Sequence, residues 1–168
     1  MEVRNYQYTD LDEIKKIIKN LHPKWFDDNA LNNIPIDIHF QKTFVATDNG
    51  NIVGFMCLRS QDGKPYIGWM GVNPVLHHKG IGKILMNKAE EEILKAGANM
   101  LRVETVVEQK PNDESYDNTV KFYETCGFMI ETKSELKQFG KFVYRMGTML
   151  KLLKKYVLTS CIPATEVV

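Results

Sequence analysis

Residues 77–86, with the sequence HHKGIGKILM, combine side chains and glycines that could do chemistry. Two histidines and a lysine precede a Gly-x-Gly pair, and a helix-like pattern follows directly. Such a segment could hold a phosphate group, close a structural turn between a strand and a helix, or bind a metal ion through His77 and His78. The surrounding sequence has to distinguish these three possibilities.

Phosphate binding is one property that a turn of this kind can have. A strand that passes through a short glycine-rich turn into a helix directs several backbone N–H groups at one point, and the helix dipole adds about half a positive charge there. Lys79 and Lys83 would strengthen anion binding. The dinucleotide-binding pattern requires a third glycine where this chain has Leu85, and the Gly-Lys-Ser/Thr of nucleotide hydrolases is absent. Taken alone, Gly80 and Gly82 leave a phosphate site and a plain structural turn equally open.

A metal site at the two histidines has little support. Adjacent side chains point apart, no third ligand is evident, and the chain contains neither CxxC nor HxxxH. We therefore expect no bound metal. The three cysteines are far apart in the sequence, which is typical of a reducing compartment.

The elements that must position the turn mix strands with helices. Asn49-Gly50 and Asp62-Gly63, each between apolar runs, predict two tight hairpin turns and so three consecutive antiparallel strands. The last of these strands is PYIGWMGV, residues 65–72. The full predicted order is strand, one or more helices, three strands, helix, strand, helix and two strands, which excludes a purely parallel βαβ winding. We expect a single α/β domain with a mixed sheet.

Two segments fit this order less well. Residues 24–40 are irregular, and Pro35 is expected to break any long helix there. From residue 149 to 158, apolar residues alternate with lysines at the spacing of a basic amphipathic helix. We therefore expect the domain to cover residues 1–148 and residues 149–168 to form an extension that packs on it and frays at its end.

Size and charge exclude several classes of protein. The chain has 168 residues, enough for one domain, with 22 basic against 21 acidic residues and a net charge of +1. This balance gives no general attraction to nucleic acid. The apolar runs are too short to span a membrane, and the N-terminus lacks a leader pattern. We expect a cytoplasmic protein that binds neither nucleic acid nor membrane.

The wider context of the turn carries a family resemblance. GWMGVNPVLHHKGIGKILMNKAE, residues 68–90, followed by NTVKFYETCGF, residues 118–128, closely resembles the GNAT-type N-acetyltransferase superfamily. Its coenzyme A turn has Arg or Gln, two variable residues, Gly, one variable residue, then Gly or Ala. Here that pattern falls on residues 77–82, with His77 in place of the Arg or Gln. The resemblance spans residues 1–148.

The resemblance implies both a fold and an activity. The expected sheet is mostly antiparallel and splayed between its fourth and fifth strands, with flanking helices and acetyl-CoA in the gap. The implied reaction transfers the acetyl group of acetyl-CoA directly to an amine of a small molecule or protein, in a ternary complex and without an acyl-enzyme. Dimers are common in the superfamily, so a homodimer is one expected assembly.

The resemblance also implies which residues bind the cosubstrate. Backbone N–H groups of the turn would bind the phosphates of coenzyme A. The expected binding residues are Met70, Gly71, Val72, His77, His78, Lys79, Gly80, Ile81, Gly82, Lys83 and Asn118. Of these, Met70 and Val72 would offer backbone groups to the pantetheine arm, which adds to the sheet like a strand. Many members have an asparagine seven residues before the tyrosine; here that position is Tyr116, and Asn118 follows two residues later.

Two residues are expected to be catalytic. Tyr123 matches the family's general acid, which protonates the departing thiolate, and the alternative is an aromatic residue of the core. Glu104, in the middle of the fifth strand, is the expected base or water-ordering carboxylate. The alternative is a carboxylate that pairs with Arg102, which points the same way two residues earlier.

The acceptor site is expected to lie after the first helix, where the superfamily diversifies. Trp25 and Phe26 would form an aromatic wall for the amine. Two rival functions remain open: a non-catalytic acyl-CoA-binding or sensing module on the same scaffold, and a nucleotide-phosphate binder that uses the same turn.

Overall fold

The computed structural model describes residues 1–154, which form eight strands, four helices and two short 3₁₀ turns. The strands are β1 (Glu2–Asn5), β2 (Lys42–Asp48), β3 (Asn51–Gln61), β4 (Lys64–Val72), β5 (Met100–Lys110), β6 (Met129–Lys133), β7 (Lys137–Phe139) and β8 (Phe142–Leu152). The helices are α1 (Leu11–Leu21), α2 (Asp28–Phe40), α3 (Ile81–Lys95) and α4 (Glu114–Thr125). The predicted order is confirmed, with β7 as an additional short strand.

All eight strands belong to one mixed sheet. Its order is β1-β2-β3-β4-β5-β8-β6, and β7 pairs with β8. β4 and β5 are parallel, and every other pairing is antiparallel. The expectation of a mostly antiparallel mixed sheet is confirmed.

Two tight turns set the register of the first three long strands. Asn49 and Gly50 have φ of 47° and 82°, and Asp62 and Gly63 have φ of 51° and 71°. Positive φ at both central residues is the geometry of a type I′ turn, which Asn-Gly and Asp-Gly sequences favour. The two predicted hairpins are therefore present.

The helices cover the two faces of the sheet and enclose separate cores. Helices α3 and α4 bury one face, which we call the α3/α4 face, with Leu85, Phe128 and Met149 among its fully or nearly fully buried residues. Helices α1 and α2 bury the other, the α1/α2 face, around Ile14, Ile34 and Phe55. Residues from β2, β3 and β4 alternate between the two cores, as the period of a strand requires.

The expectation that Pro35 breaks a long helix is wrong. α2 is 13 residues long and continues through Pro35. Its start is capped by the Asp27 carboxylate, which accepts a hydrogen bond from the N–H of Ala30 at 2.8 Å. Ile34 and Ile38 lie one turn apart and are both buried, so tertiary packing outweighs the one backbone hydrogen bond that the proline loses.

The expected helix from residue 149 is also wrong in its first part. Met149–Leu152 belong to β8, where Met149 pairs with Val103 of β5 and is fully buried. Sheet pairing on both sides of β8 outweighs the helical spacing of these apolar residues. Leu153 is buried in the same core, so the packed part of the chain continues past residue 148. The rest of the expected extension, residues 155–168, lies outside the described residues.

Candidate acetyl-CoA and acceptor site

A gap opens between β4 and β5. The two strands pair only at Tyr66–Arg102 and Ile67–Val103. From Gly68 onward β4 has no pairing with β5 in the described residues, so the last part of β4 lies beside open space. This is the splay that the family resemblance implies.

Backbone groups of β4 point into this gap. The N–H of Asn73 donates to the carbonyl of Val53 at 2.9 Å and so continues the β3–β4 ladder. Alternate residues of an antiparallel ladder bond to the neighbouring strand, so Trp69 and Gly71 face β3. The N–H and C=O groups of Met70 and Val72 therefore face the gap.

The glycine-rich turn lies at the end of this gap and opens α3. His78 and Gly80 both have positive φ, 62° and 80°, and the helix begins at Ile81. The N–H groups of Lys83 and Ile84 both bond to the carbonyl of Gly80. The N–H groups of Ile81 and Gly82 precede the first intrahelical bonds, so they remain available to an anion.

The cations at this turn are free to meet an anion. His78, Lys79 and Lys83 are exposed, and none of them forms an ion pair within residues 1–154. Together with the helix N-terminus they make this end of the gap electropositive. The residues present therefore fit the pyrophosphate group of coenzyme A.

Gly82 allows the turn to approach both β4 and α4. A Cβ atom at this position would lie 3.0 Å from the methyl group of Met70 and 3.0 Å from the Phe122 ring. The absence of a side chain thus brings the N-terminus of α3 against the end of β4. Asn118 is exposed one helical turn before Phe122, on the side of α4 that approaches this turn.

His77 contacts the protein itself. Its Nε2 atom lies 3.0 Å from the carbonyl oxygen of Val72, and its ring packs edge-on against Trp25, with 5.1 Å between ring centroids. The side chain thus ties the turn to the end of β4 and to the segment between α1 and α2. Residues 1–154 contain no group of three or more His, Cys, Asp or Glu side chains that could hold a metal ion.

Tyr123 of α4 is buried in the core on the α3/α4 face. Its ring packs edge-on against Phe122 and Phe128, with centroid distances of 5.3 and 5.5 Å. Burial raises the pKa of its phenol, and the thiol of Cys126 contributes in the same direction. The hydroxyl therefore stays protonated at neutral pH, as a general acid must before it donates a proton.

Glu104 lies on the α1/α2 face of β5 and is paired with Arg59. Its Oε2 atom accepts a hydrogen bond from Nη2 of Arg59 at 2.9 Å. The guanidinium of Arg59 lies over the Tyr66 ring, 4.9 Å from its centroid. The alternative that Glu104 pairs with Arg102 is wrong, because Arg102 forms two hydrogen bonds with Glu131, at 2.9 and 3.0 Å.

The aromatic residues expected to bind the acceptor lie in the segment between α1 and α2. Trp25 contacts His77 at the turn, and Phe26 packs edge-on against Trp69 of β4, with 6.1 Å between centroids. The indole N–H of Trp69 donates to Asp37 at 2.6 Å. Sequence reasoning missed Arg59 and Trp69. The alternation of β3 could have placed Arg59 on the face of Cys57, but the irregularity at Gly68 interrupts the alternation of β4 before Trp69.

The whole pattern of gap, turn and helix corresponds to one family. The family model described as acetyltransferase (GNAT) family matches residues 10–128, well over half of the chain. The chain belongs to the GNAT acetyltransferase family. The resemblance stated from the sequence is thereby confirmed. No curated protein sequence matches this GNAT chain.

Solved structures share the fold at low sequence identity. The ribosomal-protein-S18-alanine N-acetyltransferase of Escherichia coli superposes with a TM-score of 0.68 at 19% identity, over 91% of this chain and 94% of that one. An aminoglycoside 6'-N-acetyltransferase complexed with coenzyme A superposes with a TM-score of 0.72 at 16% identity, over 90% of this chain and 97% of that one. Salmonella typhimurium yncA, with its cofactor acetyl-CoA, superposes with a TM-score of 0.70 at 18% identity, over 96% of this chain and 98% of that one. These likenesses confirm the GNAT fold.

The helices of this GNAT domain are all too short or too polar to cross a membrane, as far as residues 1–154 are concerned.

Proposed function

We propose that this GNAT protein is an N-acetyltransferase that uses acetyl-CoA and transfers the acetyl group directly to an amine of a small molecule or protein. One observation carries the proposal: the gap beside Met70 and Val72 ends at a helix N-terminus, where the first N–H groups and the lysines have no partner within residues 1–154. A strand-like chain with a pyrophosphate at one end fits this arrangement. Acetyl-CoA has this form, and it supplies the activated acetyl thioester.

The chain's own residues would hold the cosubstrate at three places. The N–H groups of Ile81 and Gly82, with Lys79 and Lys83 nearby, would bind the pyrophosphate. The gap-facing backbone groups of β4 would bond to the amides of the pantetheine arm. A backbone N–H of β4 would also stabilise the negative charge that develops on the carbonyl oxygen during transfer.

Glu104 and Tyr123 would handle the protons. An amine attacks the thioester only in its neutral form, so Glu104 would remove a proton from the bound ammonium directly or through an ordered water. Tyr123 would give its proton to the departing sulfur. An ordinary phenol, with a pKa of about 10, is close in acidity to an alkyl thiol. Burial raises the pKa of Tyr123, so in the free protein it is a weaker acid than this reference.

A binding comparison tests the proposal. Calorimetry should detect binding of acetyl-CoA and only negligible binding of ATP and NAD, because the gap is built for an extended arm beyond the pyrophosphate. A panel of amines should then release free thiol from acetyl-CoA in stoichiometric amounts with acetylated amine. Binding of ATP in preference to acetyl-CoA would contradict the proposal and favour a nucleotide-phosphate binder.

One observation favours a second candidate, a non-catalytic acyl-CoA-binding module on the same scaffold. Only 7% of the Tyr123 surface is exposed, and its ring contacts two other aromatic residues, as a purely structural residue would. Tight binding of acetyl-CoA without thiol release for any amine would support this candidate.

A further inference from the structure

A polar pocket lies beside Glu104 on the α1/α2 face of the sheet. This half-open pocket has a volume of about 410 Å³ and lies between β5, β8 and the segment that contains β6 and β7. Its lining includes the carboxylate of Glu104, the hydroxyl groups of Thr132, Ser134 and Thr148, and the lysines Lys133 and Lys137. The proposed base is therefore one wall of a cavity large enough for a small molecule.

The two lysines of the pocket differ in their partners. Lys133 forms an ion pair with Glu108, which also pairs with Arg145. Lys137 forms no ion pair within residues 1–154. Lys137 is thus the cation of this pocket that is free to meet an anion.

Glu104 and Lys137 lie at opposite ends of the pocket. Glu104 pairs with Thr148 of β8, and Lys137 pairs with Tyr144 of the same strand. Tyr144 and Thr148 are four residues apart, so they share a face and lie about 13 Å apart along the strand. Both long side chains reach the pocket between these points. A carboxylate and an ammonium group therefore face one cavity from two ends.

We propose that the acceptor is a small amine that also carries an anionic group, a carboxylate or a phosphate, a few carbon atoms from the nitrogen. This inference rests on the proposed function. The ammonium of the acceptor would lie at Glu104, whose Oε1 atom has no hydrogen-bond partner within residues 1–154. The anion would lie at Lys137, and the hydroxyl groups of Thr132 and Thr148 would bond to the polar atoms between them.

The charge of the pocket argues against a polycationic acceptor. Glu104 already shares its charge with Arg59, and the far end carries Lys137. A second ammonium group on the acceptor would meet Lys137 and be repelled, whereas an anion would be attracted.

Matched pairs of acceptors test this inference. The pairs are 6-aminohexanoate with hexylamine, and 4-aminobutyl phosphate with 4-aminobutanol. The anionic member of at least one pair should have a kcat/KM about tenfold higher than its partner, and which pair shows it separates carboxylate from phosphate. Lys137→Gln should reduce that ratio towards one through a higher KM, and Lys137→Arg should keep it.

Lys141→Gln is the matched control. Lys141 lies in the turn between β7 and β8, with its ammonium 5.4 Å from the centroid of the Phe142 ring, and it does not line the pocket. This substitution should leave the preference unchanged. A wild-type protein without preference for the anionic members, or a preference that survives Lys137→Gln, would overturn the inference.

Calorimetry of the same pairs with coenzyme A present separates this inference from the proposed function. Acetylation of both members at equal rates would leave the function standing and overturn the acceptor class. Binding of the anionic amine that depends on Lys137, without any acetyl transfer, would support the pocket and contradict the function. Failure of both members to bind or react would overturn the acceptor class.

Discussion

Glu104 is held in place by a side chain from two strands away. Arg59 on β3 reaches across Tyr66 of β4 and donates to one oxygen of the carboxylate. Cation–π contact with Tyr66 helps to fix the guanidinium. Among the described residues the other carboxylate oxygen has no partner, so Arg59 orients the group without blocking it. Glu104 can therefore accept a proton from an amine or a water at a defined position.

A substitution at Glu104 tests this role. Glu104→Gln should lower kcat/KM at neutral pH by about 10- to 100-fold, because the general base is lost. The loss should shrink as pH rises, since more of the amine is then neutral in solution. A pH series of thiol-release rates measures this. Glu124→Gln, on the exposed side of α4, is the control and should keep the wild-type rate. A loss of kcat/KM in Glu104→Gln that is equal at every pH would exclude a role of Glu104 as base.

Tyr123 makes a separate prediction. Tyr123→Phe keeps the ring that packs against Phe122 and Phe128, so acetyl-CoA binding should change less than about twofold. Turnover should fall by about 100-fold or more, because the departing thiolate loses its proton donor. Burial raises the pKa of the Tyr123 phenol above its ordinary value of 10.0. Ionisation of this group should therefore cause no loss of activity as the pH rises towards 10. Tyr8→Phe, at an exposed tyrosine, is the control. Wild-type turnover in Tyr123→Phe would mean that Tyr123 is a residue of the core and not the general acid.

The two ends of α3 offer a matched pair of glycines. Gly80 and Gly97 have φ of 80° and 84°, and a Cβ atom would meet nothing within 4 Å at either position. Alanine at either should therefore cost about 1–2 kcal/mol of unfolding free energy, from backbone strain alone. Only Gly80→Ala should also weaken the binding of acetyl-CoA, by about tenfold, because it reorients the N–H groups of the turn. Calorimetry measures the affinity for acetyl-CoA, and urea unfolding measures the free energy of unfolding. Equal affinities for the two variants would contradict the phosphate site.

The first strand and first helix are joined by a charged pair. Arg4 on β1 donates to both oxygens of Asp10, just before α1, at 2.7 and 2.9 Å. The hydrogen bond from Arg4 lowers the pKa of the buried Asp10 carboxyl below its ordinary value of 3.8. A lowered pKa means that this stabilisation is complete above the ordinary value and is lost as pH falls through the lower, folded-state value.

Asp10→Asn tests the pair by its pH dependence. The variant should lose about 1–3 kcal/mol of unfolding free energy near neutral pH, because Arg4 loses a charged partner. The difference from wild type should shrink in acid, below the ordinary pKa, as the wild-type carboxyl takes up its proton. Urea unfolding from about pH 7 to pH 3 measures it. Asp12→Asn, on the exposed face of α1, is the control, and a difference that stays constant with pH would exclude the charge of Asp10 as its cause.

The elements were largely predictable, and their exceptions share a cause. Asn49-Gly50, Asp62-Gly63 and Gly97 act through local backbone preferences, so the sequence alone places these turns and the end of α3. Pro35 and Met149 are governed by packing with distant partners, which local periodicity does not contain. The partner of Glu104 escaped prediction for the same reason: Arg59 is 45 positions away in sequence.

At the scale of the whole molecule, the sheet is two sets of strands joined at a narrow contact. β1 to β4 form one set, and β5, β8, β6 and β7 form the other. The parallel β4–β5 ladder that joins them consists of two residue pairs. A ligand that fills the gap would add bonds across the weakest line of the sheet. Cosubstrate binding and the rigidity of the sheet should therefore be coupled.

Hydrogen exchange tests this coupling at single residues. In the free protein the N–H groups of Met70 and Val72 should exchange quickly, whereas those of Trp69 and Gly71 should be protected by their bonds to β3. Acetyl-CoA should slow exchange at Met70 and Val72 by about tenfold or more and change Trp69 and Gly71 less, because the pantetheine arm takes the place of the missing strand. ATP should leave this alternation unchanged. Protection of all four N–H groups in the free protein, or no change with bound acetyl-CoA, would mean that the arm does not lie along β4.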